Sequence, residues 1–275
     1  MHRLSISLAW EQTKSCLATD GPLLGTVAAA LIALPVAVLN VISPAGCSLD
    51  GSGSAWLLVA PLVVIIFLLL AQLALVRLAI GPSVSVGDAI LHGIRRLPVY
   101  FAANLLVGLV LFAFIILCTM ILLGAGVPLN ESSVQLSPAI IALGIAVAVI
   151  YCFAWVRFFA MAAPVACAEV AGPIAIIRRS WELTAGNSWN LLGFILLFLV
   201  SASIAILAIT SVAGIITQLL IGPLTAFSVS ALLVGLVVAV ANAAMITLLT
   251  AMLARIYVQL SGRGSIDVSV PRTGA

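Results

Sequence analysis

The 275-residue chain is 64% hydrophobic and only 7% charged, with a mean hydropathy of +1.37. Soluble globular domains carry about 25% charged residues, so a water-soluble enzyme or binding module is excluded and an integral membrane protein is indicated. The net charge of +3 does not indicate nucleic-acid binding; it fits a one-sided distribution of basic residues and contact with acidic lipid.

The chain opens with "MHRLSISLAWEQTKSCLATD", in which polar and apolar residues alternate. It lacks the apolar block of about 7 to 15 residues that a signal peptide requires, so a mature N-terminus at Met1 or His2 is expected. Asp20, Gly21 and Pro22 read as an N-cap and first turn, separating a short surface helix from the first span. Six apolar runs then have the ~20-residue length that a hydrocarbon core of ~30 Å demands. They cover residues 21–42, 55–80, 99–123, 138–160, 188–219 and 226–258. Backbone groups in lipid must bond internally, so all six are expected as helices, the last two tilted or overhanging.

All eleven Lys and Arg residues fall on one side of this topology. Arg3 and Lys14 precede the first span; Arg77, Arg95 and Arg96 follow the second; Arg157, Arg178 and Arg179 follow the fourth; Arg255, Arg263 and Arg272 close the chain. The connections at 44–54, 124–137 and 220–225 contain none. Basic residues in short loops resist translocation, which predicts both termini in the cytoplasm.

The even spans end alike, in "LALVRLAI", "FAWVRFFA" and "AMLARIYV", and "AWEQT" before the first span is echoed by "SWELT" before the fifth. "GDAILHGIRRLPVYF" stands in the corresponding place before the third. The pattern predicts an all-α protein of three hairpin units, approximately 1–80, 81–160 and 161–260, each preceded by a short cytoplasmic amphipathic helix. Parallel repeats of this kind keep every short helix on one side. The tail 261–275 is expected to be disordered.

The third short helix is the best defined. Pro173 suits its first turn, Ile174, Ile177 and Trp181 recur at helical spacing, and Arg178 pairs with Glu182 four residues on. Gly186 and Asn187 close it. Trp181 is expected at headgroup level. Arg157 stands about nineteen residues from Pro138, close to 30 Å of helix, and so reads as a boundary residue. Its guanidinium would reach phosphates, with Trp155 and Tyr151 in the aromatic belt, and the chain would leave the span at Pro164. Arg77, Arg157 and Arg255 would then be three equivalent boundary positions.

The stretch "AIIRRSWELTAGNSWNLLGFILLFLV", with "VRFFAMAAPVACAEVAG" before it, resembles the membrane domain associated with bacterial glycerophosphoryl diester phosphodiesterases and its stand-alone inner-membrane relatives. The likeness covers the whole chain in architecture and is sharp over about residues 154–196. It implies a bacterial inner-membrane protein without the phosphodiesterase activity, which in that family belongs to a separate soluble barrel.

The residues agree with a non-enzymatic reading. The two histidines, His2 and His92, and the eight acids are scattered, with no metal-ligand spacing, nucleophile elbow or phosphate loop. His92 reads as a polar-face residue of a basic helix rather than a general base. No metal or cofactor is implied. Cys16, Cys47, Cys118, Cys152 and Cys167 are odd in number without C-x-x-C spacing, so no disulfide framework follows, and Cys118 and Cys152 read as packing residues. The Asn-Glu-Ser sequon at 130–132 is a chance match.

Three functions remain. The favoured one is a non-catalytic scaffold, partner subunit or envelope-maintenance factor whose Arg77, Arg157, Arg255, Arg95, Arg96, Arg178, Arg179 and Trp181 contact anionic lipid headgroups. The alternative is a transporter or channel for a small molecule or lipid, lined by Gln72, Asn104 and Asn242. No span carries an ionisable group at its centre, where ion coupling needs one, and these residues, with Ser201, Ser203 and Thr210, read first as interhelical contacts. Small pairs such as Gly144 with Ala148 and Gly235 with Ala239 would favour close helix approach. A lipid-modifying enzyme, the third, requires titratable groups converging near Glu169, Glu182 and His92.

Overall fold

The computed structural model describes residues 5–42, 56–81, 84–124, 138–223, 225 and 227–262. His2, Arg3, Cys47, the sequon at 130–132, Arg263, Arg272 and the tail beyond Gly262 lie outside these residues. Among the described residues every regular element is helical: α1 (Ile6–Ala28), a π-helical turn (Ala29–Ala33), α2 (Leu34–Ile42), α3 (Trp56–Ile80), α4 (Val86–Gly124), α5 (Pro138–Ala168), α6 (Pro173–Thr184), α7 (Ser188–Leu220) and α8 (Val229–Leu260). Six of the helical stretches are long and apolar enough to cross a membrane: Ile6–Ile42, Val59–Ile80, Val86–Ile121, Gly144–Ala168, Ser188–Leu220 and Val229–Leu260.

Short polar residues set the helix starts. The Ser5 hydroxyl accepts from Leu8 N and that of Ser228 from Ala231 N. At α4, the Ser85 hydroxyl caps the helix, accepting from Asp88 N at 3.1 Å while donating to Asp88 Oδ2 at 2.7 Å. Gly172 and Pro173 open α6.

Three expected breaks are absent. α1 runs unbroken through Asp20, Gly21 and Pro22, α4 through Pro98, and α5 through Pro164 as far as Ala168. Two of the three expected short helices are therefore the opening turns of longer ones, and only α6 stands apart. A proline costs a helix one hydrogen bond, which neighbouring packing and local unwinding can absorb in an apolar setting. Pro35 shows how: the π turn ahead of it, in which Leu34 N–H reaches back to Ala29 O, widens the backbone where the ring would otherwise strike a carbonyl.

The first span runs antiparallel to α8. Ser5 N meets Gln259 Oε1 at 3.4 Å, so the chain enters and leaves at one end of the bundle; Phe227 N donates to Val41 O at the other. A Cβ added at Gly93 of α4 would lie 3.0 Å from Leu70 of α3, and one at Gly235 of α8 would lie 3.1 Å from Asn40 of α2. Gly235 and Ala239 do serve a close approach, whereas Gly144 and Ala148 are exposed.

Packing is uneven along the bundle axis. Leu73, Val76, Tyr100, Met161, Val165, Ile176, Leu191, Ile195, Met252, Ile256 and Tyr257 form a dense core toward the end where the chain enters and leaves. Leu109, Val110, Ile145, Leu207 and Leu219 are exposed in the other half. An exposed apolar face of this extent suits hydrocarbon and not water.

Candidate functional site

Lys14, Arg77, Arg95, Arg96, Arg178, Arg179 and Arg255 all lie on the segments that form the densely packed end, which is called the basic end below. Its centre is the α5–α6 hairpin. The turn at 169–172 reverses the chain, and α6 packs back along α5 with Ile176, Ser180 and Thr184 inward. Ser180 Oγ donates to Phe158 O at 3.2 Å. Ile174 and Trp181 lie outside this face: Ile174 is 73% exposed and Trp181 is also exposed. Small hydroxyl residues fit the narrow gap against α5 and leave the bulky apolar ones outside.

Arg157 is the clasp of this hairpin. Its Nη2 donates to Trp181 O at 2.8 Å and its Nε to Thr184 Oγ1 at 3.1 Å, while its guanidinium lies over the Trp181 ring, 4.3 Å from the centroid. Arg157 therefore sits eleven residues before the end of α5 and is held by protein. Arg77 and Arg255 stand three and five residues before the ends of α3 and α8. Trp155 stacks on Phe159 at 4.5 Å, and Phe153 meets Trp189 at 5.4 Å.

Nearer the turn, Arg179 joins two carboxylates. Its Nε donates to Glu169 Oε1 at 3.4 Å and its Nη1 to Glu182 Oε2 at 3.3 Å; Arg178 adds a 3.6 Å contact to Glu182. Tyr257 OH of α8 donates to Glu169 Oε1 at 3.0 Å. Partial desolvation alone would lower the Arg179 pKa, but the Glu182 and Glu169 carboxylates outweigh it and hold that pKa above its ordinary value. His92 Nε2 lies 3.1 Å from the Cys167 carbonyl oxygen, a bond that puts the proton on Nε2. Glu169 and Glu182 thus converge on one cation, and His92 is tied to the backbone two residues before Glu169. Among the described residues no three His, Cys, Asp or Glu side chains could hold a metal ion together.

The remaining expected residues are scattered. Arg95 is exposed and Arg96 and Arg77 are half-buried. Gln72 Oε1 accepts from Tyr100 OH at 2.8 Å, Asn104 Nδ2 donates to Tyr100 O at 2.9 Å, and Asn242 Nδ2 donates to Val238 O at 2.9 Å. None of these three amides lines either of two cavities with polar walls. One, of ≈480 Å³, lies between α2, α7 and α8 and includes Asn40, Thr210, Ser211 and Gln218. The other, ≈270 Å³ at the basic end, is lined by Gln12, Ser15, Cys16, Thr19, Asp20 and Arg255. Sequence reasoning missed Tyr257, which carries no local signal, and Thr184, whose role is foreshadowed only by the matching Trp-Glu-x-Thr tetrads.

The link from α6 to α7 turns on Gly186, whose φ of +89° belongs to the left-handed region. Gly186→Ala should cost about 1 kcal/mol, read as a fall of a few degrees in the thermal midpoint in detergent.

The fold and its apolar helices define a multi-pass α-helical membrane protein. Residues 9–260 match the family described as a domain of unknown function, DUF7847. The chain belongs to that family. No curated protein and no solved structure matches it.

Proposed function

We propose that the protein is a non-catalytic inner-membrane scaffold, partner subunit or envelope-maintenance factor, with both termini cytoplasmic and its basic end in contact with anionic headgroups. The observation that carries this reading is that the two convergent carboxylates are tied up by Arg179 beside a one-sided basic surface. Glu169 and Glu182 are already bonded to Arg179, whereas a general base needs a carboxylate facing substrate. Arg95 and Arg178 remain exposed on the same end. The reading keeps the three hairpin units, supported by the contact of Arg157 with the "SWELT" helix and by the cleft that Arg255 lines together with Gln12 of the "AWEQT" helix. It also keeps the resemblance to the phosphodiesterase-associated membrane domain, which assigns no activity.

Replacing Arg95, Arg96, Arg178 and Arg179 together with Gln tests the lipid contact. Each basic residue near an anionic surface is worth about 1 kcal/mol, so the anionic phospholipid co-extracted in polymer nanodiscs should fall several-fold. An unchanged lipid profile removes headgroup contact from the proposal. A carrier is the second reading, favoured by the ≈480 Å³ cavity and its four polar side chains.

A further inference from the structure

Arg255 and Gln259 lie one turn apart on the same side of α8. Arg255 Nε and Gln259 Nε2 are both buried and neither has a hydrogen-bond partner. Buried donors nearly always find an acceptor, so Arg255, which lines the basic-end cleft, keeps unspent hydrogen-bonding capacity there. The basic-end cleft of ≈270 Å³ opens beside Arg255, walled on the α1 side by Gln12, Ser15, Thr19 and Asp20. It is roughly nine times the ~30 Å³ share of one water, room for a phosphate with a short arm.

Arg157 is an internal control, because it stands in the matching stretch of α5. Its Nε and Nη2 are taken up by Thr184 and Trp181 of α6. Arg255 Nε has no such partner, and the residue lines the basic-end cleft. Asp20 lines the same cleft without forming an ion pair to Arg255 among the described residues.

We propose that this cleft binds the headgroup of an amine-bearing glycerophospholipid, its phosphate on Arg255 and its ammonium on Asp20. A planar guanidinium suits phosphate oxygens, and Ser15, Thr19 and Gln12 add neutral hydrogen bonds. Asp20 decides between headgroups: a simple anion meets a like charge on the opposite wall, whereas a zwitterion satisfies both. The inference rests on the headgroup-contact reading above and narrows it to one site and one lipid class.

The test is native mass spectrometry of the full chain released from nanodiscs containing ethanolamine-headed and glycerol-headed phospholipids. One ethanolamine-headed lipid should stay bound. Arg255→Gln should lower its occupancy about tenfold, the scale of a lost charged hydrogen bond. Asp20→Asn should shift retention toward the glycerol-headed lipid. Thr19 is exposed, so Thr19→Trp should fill the cleft and expel the lipid with the thermal midpoint unchanged. Equal retention in Arg255→Gln and Thr19→Trp overturns the site. Displacement by soluble glycerophosphoethanolamine or inorganic phosphate overturns the lipid as occupant. If the four-arginine variant loses bulk anionic lipid while Arg255→Gln keeps the bound one, only this inference fails. If lipid retention depends on Arg255 while bulk anionic lipid is unmoved, only the broader reading fails.

Discussion

Arg157→Met is expected to release α6 from α5 and lower stability by about 2 to 3 kcal/mol. The variant loses two hydrogen bonds from a charged donor and a cation–π contact with Trp181, each worth about 1 to 2 kcal/mol before relaxation. Thr184 Oγ1 keeps its bond to Ser180 O, so no new buried orphan is created there and the cost stays below that of a broken buried ion pair. Differential scanning fluorimetry in detergent should show the midpoint falling by roughly 5 to 10 °C. Limited proteolysis at 185–187 should accelerate, because the clasp holds the helix that precedes this link. Arg157→Lys should restore only part of the loss, since an ammonium cannot make the same forked contact while lying flat on the indole. If Arg157→Met unfolds like the parent, the arginine faces lipid phosphate and not α6.

Tyr100 carries the second large effect. Its side chain is fully buried between α3 and α4, with its hydroxyl on Gln72. Tyr100→Ala opens a cavity and should cost about 3 to 5 kcal/mol. Tyr100→Phe and Gln72→Leu should each cost about 1 kcal/mol, because each strands the other partner. The double variant removes both polar groups and should be less damaging than the sum, a coupling read directly from a thermal-denaturation cycle. This outcome separates interhelical contact from transport. A Gln72 that serves a substrate path would show additive losses and no rescue in the double variant.

The spans and their one-sided arginines were legible because both follow from solvent physics: hydrocarbon thickness sets the length, and charge resists translocation. The helix boundaries at Asp20, Pro98 and Pro164 were not, because rules for proline in water overstate its power to end a helix that packing holds on both sides. The inward face of α6, made by Ile176, Ser180 and Thr184, was not legible, because a helix beside lipid can turn its hydroxyls inward and leave apolar residues outside. The partners of Arg157 lie 24 and 27 residues away and depend on the tightness of the α5–α6 turn. Tyr257 meets Glu169 across 88 residues, a pairing that only tertiary structure can supply. The basic-end cleft has the same origin, since Asp20 looked like a cap and became a wall once α1 ran through it.

The π turn at Ala29–Ala33 has a consequence for how the first span is counted. One residue beyond the α-helical number in a turn sets the downstream side chains back by about 100°. Up to Ile32 the buried positions follow a single phase, Leu24, Val27, Ala28, Leu31 and Ile32. Continued without the offset, that phase would point Ala37 and Asn40 away from the bundle; with it, they come round to the Gly235 backbone of α8. The span is thus two helical frames joined out of step. A one-residue gap at this place between two members of the family would mark a change of phase, exchanging which side of the segment faces α8 and which faces lipid.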